Sequence, residues 1–295
     1  MTYQYLMVGM MGIHQKKRRI RNDSAVAGVI EALLLVALVT IILSTIQLIY
    51  IPEIMEQREV EHMDVVENQF SYLKSIIDLQ STLAVTVPIS SPITLGTREL
   101  AYFVTARSYG QLDIIDDTNN KITWEGFPTG VPLTSIEYDA YNTYFIDQTF
   151  ALEGGSLILQ QSNGESILIE PSMSFENLST QIKIELQLPK FQSIGGKNST
   201  SGYKNCFIRT NYSSSTTYDV TTSYIHIYSE YLDAWNSTFH ELLQIPIEQG
   251  YITVEKSPIV SPTHIAITPG TKTLAFDLTV STIIAQIGPG TVVTS

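Results

Sequence analysis

Hydrophobic and polar positions divide this chain into a long apolar segment, an amphipathic segment and a series of short alternating runs. The apolar segment occupies residues 25–51, and its part from Leu33 to Ile51 contains 19 residues without a formal charge. At about 1.5 Å per residue, these positions would form a helix of roughly 28 Å, close to the hydrocarbon thickness of a bilayer. The pattern predicts one transmembrane or assembly helix at 25–51, and the alternative is a buried helix of a soluble core.

Opposite charges flank this apolar segment. Residues 1–21 contain five basic side chains and no acidic one, whereas the first charges after the segment are Glu53 and Glu56. Because the cytoplasmic flank of a spanning helix carries the excess of Lys and Arg, we expect residues 1–24 to be a cytoplasmic leader and the rest to lie outside the cell. Bulky residues continue to Ile51 without a small-residue cleavage site after them, unlike a secretory signal peptide. We therefore expect the helix to remain in the mature protein.

An amphipathic pattern follows the apolar segment. Apolar residues recur at spacings of three and four from Val60 to Ile77, with charged residues between them. This periodicity predicts an amphipathic helical stalk at 52–87, whose helix ends before Pro88 and is allowed a kink or break at Pro52. The apolar stripe must pack on something. Periodicity leaves open whether it packs on the body of its own chain or on the same stripe of neighbouring chains.

Residues 88–295 consist of β-branched and aromatic runs separated by Gly, Pro, Asn and Ser, which predicts a β-rich extracellular domain. The run from Gln181 to Leu188 alternates strictly, as in a strand with one buried and one solvated face. One helical insertion is predicted at Ser229–Leu243, with Ser229 capping its first turn. The fold class is therefore α+β, a long N-terminal helix followed by an antiparallel β-sandwich-like domain with one short helix. Strands are predicted at 100–106, 110–115, 120–125, 134–138, 156–160, 166–170, 180–188, 204–210, 222–228, 251–255, 263–268 and 273–286.

Charge and cysteine content narrow the range of functions. The formal net charge of the 295 residues is −12 even though residues 1–21 are basic. An acidic body of this kind does not bind nucleic acid or an anionic membrane surface through charge. Cys206 is the only cysteine, so no intramolecular disulfide can form. This composition is more typical of a prokaryotic surface protein than of a eukaryotic secreted one.

Residues that could carry catalysis are few and lack catalytic spacing. The five histidines form neither H-x-x-x-H nor H-E-x-x-H, and the chain has no G-x-S-x-G, P-loop or dinucleotide motif. Cys206 is interpreted as a small apolar residue, and the acidic run from Asp113 to Asn120 as a solvated turn without calcium-loop spacing. We therefore predict no enzymatic activity, no metal site and no cofactor. An ectoenzyme, the third alternative, would need a cleft that joins His226, His240 or Cys206 to carboxylates.

Two further kinds of site are predicted. The Asn-x-Ser/Thr triplets at Asn177, Asn198, Asn211 and Asn236 are candidate glycosylation sites of an external domain. Glu31 is a carboxylate within an apolar helix, which is costly unless it lies near the interface or has a partner. Two interpretations stay open, because its side chain can reach the cytoplasmic headgroups or can pair with a positive group of another subunit and set the register of a helical bundle.

The stretch from Ala25 to Ala37, AVAGVIEALLLVA, resembles the N-terminal segment of archaeal type IV pilin-like proteins, in which basic residues precede an A-V-S-P-V-I-G-like sequence and a continuous apolar helix. The resemblance implies a subunit that a prepilin peptidase cleaves and the pilus assembly machinery moves from the membrane into a filament of pilin-like subunits. By this analogy the cut follows Ala25, so that Val26 begins the mature chain and Glu31 takes part in assembly. Ser24 stands where the family has a basic residue. Without cleavage, the chain would be a single-pass membrane-anchored cell-envelope or binding protein that does not polymerise.

Overall fold

The structure is a computed structural model that describes residues 16–97, 108–116, 118–257 and 263–288, with side chains from residue 26 onward. Contacts within the chain divide it into two compact units, Met1–Met55 and Glu56–Ser295. The first contains an apolar helix and the second a β-rich body. The prediction of a long N-terminal helix followed by a β-rich domain is confirmed at this level. The strand predicted at 100–106 lies outside the described residues.

The apolar and amphipathic segments form helix without an interruption. They consist of α1 (Lys16–Thr45), one π-helical turn (Ile46–Tyr50) and α2 (Ile51–Leu83). The amide of Ile51 donates to the carbonyl of Ile46, five residues earlier. Pro52 has no amide hydrogen, and its ring crowds the carbonyl four residues before it. A widened turn ahead of Pro52 relieves this conflict, so the helix continues where the sequence allowed a break.

The apolar stripe of α2 packs on the protein's own body. The ring of Phe70 lies at its centre, 6.3 Å from the ring of Tyr138 and 6.1 Å from that of Phe150. These aromatic residues share one buried cluster with four further residues of the stripe, Met63, Val66, Leu73 and Ile77. Of the two alternatives that periodicity left open, the structure therefore shows packing within the chain.

The residue after helix α2 has an unusual backbone conformation. Ala84 has a φ of 52°, and the next amide, that of Val85, donates to the carbonyl of Gln80 at 3.2 Å. This bond closes the helix with a left-handed residue, as in a C-terminal capping motif. Alanine carries a steric cost in that conformation that glycine does not. The helix therefore stops at Leu83, before the predicted limit of the stalk.

Sixteen strands and two short helices follow in the described part of the chain. The first eight strands are β1 (Ile89–Thr94), β2 (Tyr109–Ile115), β3 (Lys121–Trp124), β4 (Phe127–Pro132), β5 (Ser135–Tyr141), β6 (Gln148–Glu153), β7 (Ser156–Gln161) and β8 (Gly164–Ile169). The next are β9 (Met173–Asn177), β10 (Gln181–Ser193), β11 (Ser199–Gly202), β12 (Asn205–Thr222) and β13 (Ile225–Tyr228). After them come α3 (Leu232–Leu242), α4 (Gln244–Glu248), β14 (Ile252–Lys256), β15 (Ile265–Pro269) and β16 (Thr273–Ile287).

These strands form three sheets. The first sheet has the order β1-β12-β16-β10-β9, the second β11-β2-β5-β6-β7-β8 and the third β14-β15-β13-β3-β4. The prediction of an antiparallel domain is wrong at one pair, because β10 and β16 run parallel from Gln181 opposite Thr273 to Ser193 opposite Ala285. Parallel neighbours require a long crossover connection. The chain between β10 and β16, which contains β11 to β15 and both short helices, provides it.

The helical insertion packs its aromatic face into the core. Trp235 and Phe239 of α3 are buried in one cluster with inward-facing residues of β10, β13 and β16. The helix begins at Leu232, and its N-terminal capping position is Tyr231, which makes no side-chain capping bond. The prediction that Ser229 caps the helix is therefore wrong. Its hydroxyl instead accepts from the amide of Tyr231 at 2.9 Å, in the turn that precedes the helix.

Candidate functional site

The first compact unit exposes a long, mainly apolar surface. Every described side chain from Val26 to Tyr50 is exposed, and Glu31 is the only charged residue among them. Leu34 is 67% exposed and Leu48 is 76% exposed, although burial of such side chains is worth about 1.5–3 kcal/mol each. By length and composition this helix is able to cross a membrane, and it is the one such helix in the described residues.

Two hydroxyl groups on this surface form hydrogen bonds within the helix. The hydroxyl of Thr40 donates to the carbonyl of Val36 at 2.8 Å, and that of Thr45 donates to the carbonyl of Ile41 at 2.9 Å. Such bonds matter in an apolar environment, where no water replaces a missing partner. Glu31 differs because a carboxylate cannot be satisfied in this way, so it is the side chain of the helix that most needs an external partner.

A buried carboxyl group links β6 to the start of α3. Glu153 is completely buried, and its Oε1 accepts from the hydroxyl of Ser229 at 2.5 Å and from the indole Nε1 of Trp235 at 2.8 Å. The next residue, Gly154, has a φ of 60°, and a Cβ there would lie 2.6 Å from the Trp235 ring. Only glycine therefore fits beneath this tryptophan. The carboxyl group of Glu153 therefore connects the end of β6 to α3 through hydrogen bonds.

The surroundings of Glu153 favour its protonated form. Burial raises the pKa of Glu153 to about 7, the hydrogen bonds from Ser229 and Trp235 oppose this change, and the charges of Glu137 and Glu230 add to it. Burial also raises the pKa of Glu137, whose Oε1 accepts from a serine hydroxyl at 2.6 Å. The second oxygen of Glu153 has no hydrogen-bond partner in the described structure. Such a group is poorly suited to carry a buried charge at neutral pH.

A second buried carboxylate, on α2, binds the loop at residues 143–145 of the β-rich body, which we call the head. Glu59 is completely buried, and it accepts from the amides of Thr143, Tyr144 and Phe145 at 3.0, 2.8 and 2.7 Å. Three amide donors thus satisfy the oxygens of this buried side chain. This role was not predicted from the sequence, although Glu59 lies four and seven residues before two members of the apolar stripe, Met63 and Val66. That spacing placed it on the buried face of the helix.

The three residues of the ectoenzyme alternative lie on three different elements, β12, β13 and α3. Cys206 is half-buried on β12, and burial raises the pKa of its thiol to about 11. His240 is exposed on α3, with Nδ1 2.8 Å from the carbonyl of Asn236. His226 on β13 contacts His264 instead, with ring centroids 4.3 Å apart. The described residues contain no group of three or more His, Cys, Asp or Glu side chains that could bind a metal ion.

The four predicted glycosylation sites differ in accessibility. Asn198 is exposed in the turn before β11, and Asn177 is exposed at the end of β9, where its Oδ1 accepts from Lys272 at 2.5 Å. Asn211 is half-buried within β12. Asn236 is half-buried on α3, and its Oδ1 is buried without a partner in the described structure. Asn198 is thus the site with the easiest approach for a glycosyl transferase.

No protein-family model, no curated protein and no solved structure matches this chain. The resemblance to archaeal pilin-like proteins therefore stays a prediction from residues 25–37. The candidate cleavage bond between Ala25 and Val26 lies within α1. Glu31 lies on the same helix, five positions after Val26, and its side chain is exposed.

Proposed function

We propose that this protein is a non-enzymatic, pilin-like surface protein that uses α1 as a membrane anchor and as an assembly helix. The observation that supports this proposal is the uniform exposure of Val26 to Tyr50, with Glu31 as the only charge among them. An apolar surface of this length is stable in lipid or in a bundle of similar helices, and unstable in water. A pilin-like subunit occupies both environments, the membrane before assembly and the helical bundle of the filament after it.

Orientation follows from the charges that flank α1. Lys16 to Arg21 contain five basic residues, so the N-terminus is proposed to lie in the cytoplasm and the β-rich head outside the cell. In this arrangement the head is a sandwich-like β-body whose acidic surface faces the medium. The stripe of α2 is used by the head itself, which leaves α1 for contacts between copies.

Transfer of α1 from lipid to a filament core would replace lipid contacts by contacts between helices. Because lipid is as apolar as leucine, packing and polar pairing have to drive this association. Cleavage after Ala25 would create a positive α-amino group at Val26. Glu31 could pair with such a group on a neighbouring copy, which gives its carboxylate the partner that a single copy does not provide in the described residues.

The test of this proposal is the mass of the intact chain, measured separately in native membranes and in material sheared from the cell surface. We expect a mature start at Val26 or Ala27 in the sheared fraction. An uncut chain that is found only in membranes would refute assembly and leave the alternative, a single-pass anchored cell-envelope or binding protein.

A charge substitution tests the role of Glu31 in assembly. We expect Glu31→Ala to deplete the protein from the sheared fraction while its amount in membranes stays unchanged. Glu53→Ala is the matched control, since Glu53 is also an exposed carboxylate of the first compact unit but lies beyond the apolar run. Equal amounts of both variants and of the wild type in the sheared fraction would show that Glu31 has no part in assembly.

A further inference from the structure

The outer face of the third sheet carries a cluster of aromatic and imidazole rings. In this sheet β13 lies between β3 and β15, and Ile225 and Ile227 point into the core. The alternate residues of β13 therefore lie on the opposite face. There the His226 ring stacks on Tyr224 at 4.3 Å, and the His264 ring lies 5.1 Å from that of Tyr228.

Two histidines from different strands meet within this cluster. His226 is in register with Ala266 of β15, so that His264, two residues before Ala266, is its diagonal neighbour on the same face. The two ring centroids are 4.3 Å apart, and the ring planes are inclined by 43°. Metal–nitrogen bonds to imidazole are about 2.0–2.1 Å long. At a centroid separation of 4.3 Å, one nitrogen of each ring is within reach of a common metal ion.

Two charged residues lie on the same face of the sheet. Lys121 on β3 has its Nζ 5.8 Å from the Tyr228 ring, and Glu255 on β14 is in register with Ala266. In the strand order of the sheet, Lys121 lies on one side of the β13–β15 pair and Glu255 on the other.

We propose that His226 and His264 form a surface site for a divalent transition-metal ion, with Cu²⁺ bound more tightly than Ni²⁺ or Zn²⁺. Imidazole nitrogen suits these three ions, and their order of affinity follows the general series for such ligands. The protein provides two ligands, and water fills the remaining positions. The rings of Tyr224 and Tyr228 restrict the rotation of both imidazoles and so preorganise the pair.

This site was not predicted from the sequence, because His226 and His264 are far apart in the chain and form no short motif. It depends on the pairing of β13 with β15, which brings the two strands side by side. It is independent of the proposed anchoring function, because no residue of α1 takes part.

The test is a titration of the full-length protein, purified in detergent, with Cu²⁺ alone. Calorimetry measures the affinity, and electron paramagnetic resonance counts the nitrogen ligands of the ion. We expect one site with two imidazole nitrogens, and an affinity about tenfold or more weaker in either His226→Gln or His264→Gln. His240→Gln is the matched control, because His240 is an exposed histidine on α3.

Affinity that is unchanged in both variants, or changed in only one of them, would refute the site. A second measurement on the wild type guards against variants that do not fold. Diethyl pyrocarbonate modifies accessible histidines, and mass spectrometry locates the modified residues. Cu²⁺ should protect His226 and His264 together and leave His240 reactive, whereas equal reactivity with and without the ion would also overturn the proposal.

Discussion

Replacement of Glu153 by glutamine tests whether a neutral group is preferred between β6 and α3. Glutamine keeps an oxygen that can accept from Ser229 and Trp235, and it places an amide where the second carboxyl oxygen now has no partner. The substitution therefore resembles permanent protonation. It removes the negative charge that Glu137 and Glu230 disfavour, without leaving a cavity.

The magnitude follows from the pKa of the buried group. Burial raises the pKa of Glu153 from 4.5 to about 7, so the folded protein binds this proton more tightly than the unfolded chain. Its contribution to stability is fully present below about pH 4.5 and decreases as the pH rises to about 7. At about 1.4 kcal/mol for each pH unit, the loss amounts to about 3 kcal/mol. Above pH 7 the ionised group stays buried at this cost.

The assay is thermal unfolding of the full-length protein in detergent between pH 5 and pH 8. We expect Glu153→Gln to raise the midpoint at pH 8 by roughly 6–12 °C and to change it little below pH 5. Glu176→Gln is the control, because Glu176 is exposed on β9 and should leave the profile as it is. The reasoning fails if Glu153→Gln lowers the midpoint at pH 8 or keeps the wild-type dependence on pH.

Three further predictions concern single residues. Glu59→Ala should lower the free energy of unfolding by about 3 kcal/mol and accelerate hydrogen exchange at the three loop amides that Glu59 binds. Glu61→Ala is the exposed control. Equal exchange rates at these amides in the two variants would contradict this role of Glu59. Ala84→Gly should raise the free energy of unfolding by about 1 kcal/mol in denaturant titrations, because Ala84 has a left-handed conformation, and a decrease would contradict that geometry. Asn198→Gln should remove glycan mass from protein isolated from its native source, whereas Asn236→Gln should not; a glycan found at Asn236 would reverse this ranking.

Local patterns predicted the elements in which apolar and polar positions recur at a regular spacing. The apolar run at 25–51 and the stripe from Val60 to Ile77 each repeat one kind of environment over several turns, and both are helical in the structure. Strict alternation likewise placed a strand at 180–188, and residues 181–188 of this range lie in β10. Such patterns need no knowledge of the partner, because periodicity alone states which face is apolar.

Strand β12 shows where the local signal is lost. Two separate strands were predicted at 204–210 and 222–228, and residues 213–217 between them are all Ser or Thr and lack an apolar face. The structure instead has one strand, Asn205–Thr222, which pairs with β16 along most of its length. Residues 213–217 are exposed, so the strand is maintained by backbone pairing with its neighbour. Periodicity of side chains cannot reveal such a strand.

The polar sites depend on contacts between distant parts of the chain. Glu153 meets Ser229 and Trp235, and His226 meets His264, only because sheet pairing and α3 bring these segments together. A single sequence contains no measure of which strands are neighbours. The same reason explains why the parallel pair of β10 and β16 was not foreseen.

Packing of α2 limits how copies of this protein can associate through helices. Phe70 is fully buried against Tyr138 and Phe150, so the apolar stripe of α2 is not free to line a helical bundle. Leu38 on α1, by contrast, is 58% exposed. Phe70→Ala should therefore lower the free energy of unfolding of the head by about 3–5 kcal/mol. Leu38→Ala should leave that value within about 0.5 kcal/mol of the wild type and should change only the partition between membranes and sheared material. Near-ultraviolet circular dichroism of the full-length protein in denaturant measures head unfolding for both variants. An equal loss of stability in both would mean that α1 stabilises the head, and assembly through α1 would then have to break that packing.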